Sequence, residues 1–196
     1  MQCEKLEDKI VYFKGAIEDP YRLLEELEKT NNNPELHHLI LPWGPWESGD
    51  GDYVYGERRF VRASEFTEYP DSSQYIIETL VNAMHATANK YAELIGIEGN
   101  PTLGKNFVIN KYATGEEMGS HVDWNERNNQ LEYSFVFYLN DDYEGGDIYW
   151  PNHNISVKPE AGSVVIFPSK EPYQHAVKQV TKGNKIFIPH FWYTQK

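Results

Sequence analysis

The stretch SVVIFPSKEPYQHAVKQVTKGNKIFIPHFWY, residues 163–193, decides the fold class of this chain. It contains three short runs rich in β-branched and aromatic residues, SVVIFP (163–168), HAVKQV (175–180) and NKIFIPHFWY (184–193), which we expect to form strands. The connections between the runs are too short for the helical crossover that neighbouring parallel strands need. The stretch therefore predicts antiparallel strands, as in a sandwich, a barrel or a jelly roll.

Similar short apolar segments continue upstream as far as Gly99. They are KNFVINKY (105–112), EYSFVFYLN (132–140) and NISVKP (154–159). No helical pattern separates them, so the second half of the chain is expected to be a β structure.

The first hundred residues show a different pattern. KIVYFKGAI (9–17) predicts a strand, and Asp19-Pro20 is typical of a helix start, with aspartate as N-cap and proline in the first helical position. Apolar residues at helical spacing over 72–95 predict a long helix. PWGPWESGDGDYVYGERR (42–59) has no period, and we interpret it as a loop or irregular hairpin that covers either a binding site or a hydrophobic edge. The chain is thus predicted to be one α+β, mainly β domain over residues 1–196.

Composition limits the classes of partner. The 196 residues include 18 Lys and Arg against 30 Asp and Glu, a formal charge of -12. A surface that tracks phosphates needs the opposite sign, so we expect neither a nucleic acid nor a membrane as partner. Cys3 is the single cysteine, which excludes an intrachain disulfide and a cysteine-based zinc site. With no signal-peptide pattern at the start, we expect a cytoplasmic protein, while the oligomeric state stays open.

The pair His121-Val122-Asp123 is the clearest candidate for a metal site. Residues two apart in an extended segment point to the same side, so one imidazole and one carboxylate would converge. A third ligand from another strand would complete the facial triad that binds non-haem Fe(II) and leaves positions open. Taken alone, the pair indicates either a metal site or a polar pair at the surface.

The motifs around this pair occur in a specific order. NKYATGEEMGSHVD (110–123) comes first, then EGGDIYWP (144–151), then VKPEAGSVVIFP (157–168), and finally His175 with a lysine ten residues later. This order resembles the 2-oxoglutarate, Fe(II)-dependent oxygenases, particularly their prolyl 4-hydroxylase-like branch. The resemblance covers residues 105–193. It implies a double-stranded β-helix (jelly roll) core over residues 101–196, with residues 1–100 as a supporting region of strand, helices and aromatic loop.

Carried over to the matching positions, the resemblance implies a set of site residues. The iron ligands would be His121, Asp123 and His175. The cosubstrate 2-oxoglutarate would be bound at its distal carboxylate by Lys185 and Tyr112, with a further contact from Tyr138. This agrees with the chemistry of a buried lysine, which needs an anionic partner. Candidate substrate-pocket residues are Asn110, Trp124 and Trp192.

The implied cofactors are Fe(II), 2-oxoglutarate and O2, with ascorbate as a reductant. The implied reaction converts 2-oxoglutarate and O2 to succinate and CO2 while a substrate C–H bond is hydroxylated. Halogenases of this superfamily lack the ligating carboxylate, so the presence of Asp123 favours hydroxylation.

Three functional hypotheses are compatible with the sequence. The first is a hydroxylase of a prolyl residue in a peptide or protein, and the second is the same enzyme class acting on a free amino acid or another small molecule. The third is a β-barrel binding module without enzymatic activity. An open groove at residues 42–59 would favour peptides, whereas a closed lid would favour small molecules.

Overall fold

The computed structural model describes residues 1–47, 54–63, 70–98, 102–126 and 129–193. Within these ranges the chain forms two α-helices and fifteen strands, with two short 3-10 turns at Pro34–Leu36 and Pro151–His153. The helices are α1 (Pro20–Asn31) and α2 (Asp71–Ile95). The strands are β1 (Gln2–Glu7), β2 (Ile10–Lys14), β3 (Gly44–Glu47), β4 (Val54–Val61), β5 (Thr102–Leu103), β6 (Phe107–Tyr112), β7 (Met118–His121), β8 (Leu131–Tyr138), β9 (Glu144–Gly145), β10 (Ile148–Trp150), β11 (Ile155–Val157), β12 (Val164–Pro168), β13 (His175–Val177), β14 (Val180–Lys182) and β15 (Lys185–Tyr193).

Both helices lie where the sequence predicts them. The carboxylate of Asp19 caps α1 by accepting a hydrogen bond from the backbone N–H of Arg22 at 3.0 Å. Helix α2 ends at Gly96, whose φ of 73° is the left-handed conformation that glycine adopts without strain. Across the part of the chain that the structure describes, no helix is both long enough and apolar enough to cross a membrane.

Two antiparallel sheets face each other in the β half. The large sheet has the strand order β1-β2-β12-β8-β15-β6-β4-β3, with β5 added beside β15. The small sheet has the order β11-β10-β13-β7, and β14 pairs with β9 in a separate ribbon. Consecutive strands often lie in different sheets, which is the chain path of a jelly roll. The α+β, mainly β prediction is confirmed.

Alternation along the strands sorts the apolar residues into two cores. Val11, Phe13 and Ile188 are among the residues that face α1 and α2 in the outer core. Tyr12 and Phe187, their immediate neighbours in the chain, face the small sheet in the inner core. Because side chains along a strand point alternately to its two faces, the register of the large sheet determines which residues reach the space between the sheets.

Residues 42–59 contain a hairpin within their described part. Strands β3 and β4 pair antiparallel and extend the large sheet at its edge, with Trp46 opposite Gly56. The sequence is compatible with either a loop or a hairpin. The described residues form a hairpin, and residues 48–53 lie outside the described part of the chain. Strand β4 is held to α1 by the buried Arg59, which donates to the Leu27 carbonyl and the Thr30 hydroxyl.

Candidate active site

A cavity of about 280 Å³ lies between the two sheets. Its walls come from β4, β6, β8 and β15 of the large sheet and from β7, β10 and β13 of the small one. This volume is close to the lower limit of ordinary small-molecule pockets, about 300 Å³. Most of the lining is apolar, so the few polar side chains that reach it are informative.

His121, Asp123 and His175 meet on one wall of this cavity. One potential ligand atom from each lies within 4.8 Å of the other two, and the described residues contain no other cluster of three such side chains. The Nε2 atoms of His121 and His175 lie 3.6 and 3.8 Å from the two carboxylate oxygens of Asp123. The histidines are brought together because they are directly opposed partners in the β13–β7 ladder. Two imidazoles and one carboxylate on one side of an open cavity fit the donor set of a non-haem iron site.

Hydrogen bonds outside this triad hold two of its members in orientation. The Nδ1 atom of His121 lies 2.8 Å from the Gly119 carbonyl, which leaves Nε2 directed toward the cavity. The Ser134 hydroxyl donates to Oδ2 of Asp123 at 2.5 Å and lies 2.8 Å from the hydroxyl of Ser169. Such outer contacts fix the ligand geometry before any metal is bound.

The protonation of Asp123 and His175 suits a cation ligand set. Burial lowers the pKa of His175 to about 4, so this imidazole is neutral at neutral pH and has a free lone pair. Burial alone would raise the pKa of Asp123, but the hydrogen bond from His121, the electrostatic interaction with His175 and the Ser134 hydroxyl together lower it. For His121 the desolvation effect is outweighed by Asp123 and the Gly119 carbonyl, so its pKa is raised. The acidic member is therefore ionised.

Lys185 lies in the same cavity at the start of β15. It is 1% exposed, and its Nζ donates to the Gly146 carbonyl at 2.5 Å. The ammonium lies 5.1 Å from the ring centroid of Tyr138 and 5.9 Å from that of Tyr143. No ion pair joins it to a carboxylate within the described ranges, and burial lowers its pKa to about 7.

The glycine pair of EGGDIYWP makes room for this lysine. Gly146 has a φ of 66°, and a Cβ there would lie 3.2 Å from Cδ of Lys185 and 3.0 Å from the Tyr143 ring. A Cβ at Gly145 would lie 2.3 Å from the Gln179 carbonyl. Both positions therefore require glycine for backbone reasons.

The other predicted cosubstrate residues surround Lys185. Tyr112 is its directly opposed partner on β6 and lines the cavity. Tyr138 is completely buried behind the ammonium, and its hydroxyl, like that of Tyr143, has no hydrogen-bond partner. A cation with hydroxyl donors beside it is complementary to a carboxylate, so this end of the cavity fits the distal group of 2-oxoglutarate.

Of the three residues predicted for the substrate pocket, Asn110 lines the cavity and the two tryptophans do not. Trp192 packs in the outer core with its ring centroid 5.4 Å from that of Tyr133, because alternation along β15 turns Phe191 inward instead. Trp124 follows Asp123 and lines a separate shallow depression beside Lys170. Its indole N–H donates to the Asn129 carbonyl at 3.2 Å. The structure therefore brings Asn110, but neither Trp124 nor Trp192, to the wall of this cavity.

Sequence reasoning missed three residues of the site. Ser134 orients Asp123, Tyr143 packs against Lys185, and Arg58 lines the cavity from β4. The alternation of Ser134 and Tyr138 along β8 was a usable signal for the first. Arg58 lies in the aperiodic aromatic segment, where no pattern indicates which side chains face inward.

Comparison with known proteins supports this geometry. The model of the 2OG-Fe(II) oxygenase superfamily matches residues 107–194. Human prolyl 3-hydroxylase 2 is 35% identical over 68 residues, which cover 32% of this chain and 10% of that protein. Chicken prolyl 3-hydroxylase 1 is 38% identical over 68 residues, covering 32% of this chain and 9% of the other. The aligned region thus spans about a tenth of the curated relatives.

Solved structures extend the similarity of fold to nearly the whole chain. A prolyl hydroxylase from Trichoplax adhaerens in complex with a hypoxia inducible factor peptide fragment has a TM-score of 0.67 at 14% identity, covering 95% of this chain and 84% of that one. The viral collagen prolyl hydroxylase of Paramecium Bursaria Chlorella virus-1 has a TM-score of 0.63 at 14% identity, covering 96% and 97%. The predicted double-stranded β-helix core is confirmed by these neighbours.

Replacing Lys185 with methionine is expected to stabilise the unliganded protein. A buried ammonium without a carboxylate partner opposes folding, and apolar replacement of buried charges gains about 1–4 kcal/mol in favourable cases. Because the folded-state pKa lies below the unfolded one, the cost is fully present below about pH 7. It shrinks by about 1.4 kcal/mol per pH unit as the pH rises from 7 toward 10.5.

The measurement is urea unfolding of wild type and Lys185→Met at about pH 6 and about pH 9. Lys182→Met is the matched control, since Lys182 forms an exposed ion pair with Glu144 and should have little effect. A Lys185→Met protein that is less stable than wild type at both pH values would contradict the expectation.

Proposed function

We propose that this chain, whose residues 107–194 match the model of the 2OG-Fe(II) oxygenase superfamily, is an Fe(II)- and 2-oxoglutarate-dependent dioxygenase that hydroxylates a C–H bond. The proposal includes the organisation of residues 1–196 as one domain, in which the helices support the sheet that carries the site. The observation that carries it is the presence, in one cavity, of the His121, Asp123 and His175 cluster and a buried cation, Lys185.

In this proposal each end of the cavity binds one part of the reactive complex. The triad would hold Fe(II) on one side and leave its remaining positions open toward the cavity. Lys185 would pair with the distal carboxylate of 2-oxoglutarate, and the hydroxyl of Tyr112 would donate to the same group. When bound, iron and 2-oxoglutarate supply the oxidative chemistry, in which O2 and the keto acid become succinate and CO2 while the substrate C–H becomes C–OH.

The protein contributes orientation, ligand basicity and exclusion of water. Ser134 holds the carboxylate of Asp123, and the neutral imidazole of His175 needs no deprotonation before binding a cation. Apolar side chains such as Val136, Ile148 and Phe187 line the space between the two ends. A dry cavity strengthens the pairing of a carboxylate with Lys185. Ascorbate would serve to restore Fe(II).

The first candidate substrate is a prolyl residue in a peptide or protein. Its support is the naming of the relatives as prolyl hydroxylases, one of them solved with a peptide fragment. A free amino acid is the second candidate, favoured by the small volume of the cavity, about 280 Å³.

His175→Ala is expected to abolish formation of the iron–keto acid complex, because two donors on one side cannot hold the metal in the same geometry. Anaerobic titration of the wild-type protein with Fe(II) and 2-oxoglutarate should produce the weak visible charge-transfer band of bidentate chelation, and the variant should show none. His85→Ala, which removes an exposed imidazole on α2, is the control. A wild-type protein that binds Fe(II) but never develops the band would overturn the proposed function.

Lys185→Met is expected to weaken binding of 2-oxoglutarate while Mn(II) still binds as it does to wild type. Losing one charge-assisted hydrogen bond corresponds to about 10- to 100-fold in Kd. Calorimetry with Mn(II) in place of Fe(II) measures this without turnover, and Lys182→Met is again the matched control. An unchanged Kd would show that the distal carboxylate is bound elsewhere.

Prolyl substrates are expected to couple succinate formation to oxygen insertion. The assay incubates the Fe(II)-loaded protein with peptides containing proline, with the same peptides carrying alanine instead, and with free L-proline. Mass spectrometry should show one added oxygen atom in a prolyl substrate and none in the alanine peptides. Uncoupled succinate release with no modified prolyl probe would exclude the first candidate substrate.

A further inference from the structure

Arg58 places a second, half-buried cation at the cavity wall. It lies on β4 directly opposite Asn110 of β6, which is itself opposite Phe187 of β15. All three therefore lie on the inner face of the large sheet, and all three line the cavity. The guanidinium stacks on the indole of Trp46, with 4.2 Å between its central carbon and the ring centroid.

One donor of Arg58, its Nε–H, is not satisfied within the protein. Its Nε is buried without a hydrogen-bond partner, and no described carboxylate forms an ion pair with the guanidinium. Its neighbour in the chain gives the contrast, because Arg59 donates to the Leu27 and Leu41 carbonyls and to a hydroxyl. Burial also lowers the pKa of Arg58. A buried donor left without a partner is costly, so a cavity wall retains one where a ligand supplies the partner.

Asn110 supplies an acceptor beside this donor. The residue is 2% exposed, and its Oδ1 has no hydrogen-bond partner. Arg58 thus offers N–H donors and a positive charge, and Asn110 offers an oxygen, on neighbouring strands. The complementary ligand group is a carboxylate with an N–H donor close to it.

The cofactors of the proposed function leave this pair unused. The two positive charges of Fe(II) and the one on Lys185 are balanced by Asp123 and by the two carboxylates of 2-oxoglutarate. Arg58 is then the remaining charge on the cavity wall, and it faces apolar side chains such as Val108 and Met118. One further negative charge, from the substrate, would neutralise the complex.

We propose that Arg58 and Asn110 form the subsite for the primary substrate, and that this substrate carries a carboxylate beside an N–H group. The inference rests on the proposed function and narrows its substrate class. Two sources supply the same chemistry: a free amino acid through its own carboxylate and amine, and a peptide through an acidic side chain or terminal carboxylate next to a backbone N–H. Arginine is suited to this role because its planar fork binds a carboxylate through two parallel hydrogen bonds.

The test measures substrate binding without turnover. The protein is loaded with Mn(II) and 2-oxoglutarate, and calorimetry compares matched acids and amides. The probes are L-proline and L-prolinamide, peptides ending in proline with a free or amidated terminus, and peptides with an internal proline followed by Asp or by Asn. In at least one pair the acid should bind about tenfold or more tightly than the matching amide. The pair that shows this preference identifies whether the carboxylate belongs to a free amino acid or to a peptide.

Arg58→Gln should remove that preference. The acid is expected to bind about 10- to 100-fold more weakly, the amide about as before, and 2-oxoglutarate with an unchanged Kd. Arg58→Lys keeps the charge without the fork and should restore part of the affinity. Arg62→Gln is the control, since among the described residues that side chain donates to the His38 carbonyl alone, at 3.4 Å. Unchanged thermal unfolding and an intact iron–keto acid band show that each variant is folded.

Several outcomes would overturn the inference while leaving the proposed function in place. They are equal binding of acids and amides by wild type, a loss of 2-oxoglutarate affinity in Arg58→Gln as large as that of the substrate, and no binding of any carboxylate probe. If the iron–keto acid band never forms in wild type, the proposed function itself fails. The two failures are therefore distinguishable.

Discussion

The alternation of side chains along β15 is the constraint on which the rest of the site depends. From Lys185 to Phe191 the odd-numbered residues face the cavity, while Ile188 and Trp192 pack toward the helices. A shift of one residue would move Lys185 into the helix-facing core and Trp192 into the site. Pro189 is tolerated because it lies between the part of β15 that pairs with β6 and the part that pairs with β5, where the ladder needs fewest N–H donors.

Much of this arrangement follows from sequence periodicity and motif order. The helix at residues 72–95 and the later strands carry strong local signals, and the structure has them within a few residues, except that the predicted strand 175–180 is divided between β13 and β14. The triad could be inferred because His-x-Asp and the spacing from His175 to Lys185 are features of the chain itself. Strand β1 (Gln2–Glu7) was not predicted, since an exposed edge strand of mostly polar residues lacks the apolar alternation on which strand prediction relies.

The sequence says least where position depends on packing between distant segments. Trp124 is next to a triad member in sequence, but adjacent residues of an extended chain point in opposite directions, and Trp124 lines a different depression. Arg58 was not predicted because no local pattern shows which way its side chain points. Its inward direction depends on the register of β4 against β6, and its segment carries no period from which that register could be derived.

The net charge of the chain does not indicate the charge of the cavity. The chain carries a formal charge of -12, yet two cations line a small, mostly apolar space at its centre. The acidic residues lie mostly at the surface, where water screens them, whereas Lys185 and Arg58 act at short range in a low dielectric. Overall charge therefore limits macromolecular partners, and the local field determines the ligand.

Hydrogen bonding distinguishes Asn140, a structural residue of this fold, from Asn110 at the cavity wall. Asn140 is buried and fully used, since its amide donates to Asp142 and the Asn184 carbonyl and its oxygen accepts from the Ile186 N–H. Asn110, equally buried one strand away from β15, leaves its oxygen unpaired. Arg59 and Arg58 also differ, since Arg59 makes three hydrogen bonds and the buried Nε of Arg58 makes none. Because an unsatisfied buried group lowers stability without improving packing, its retention at a cavity wall indicates that the missing partner is a ligand.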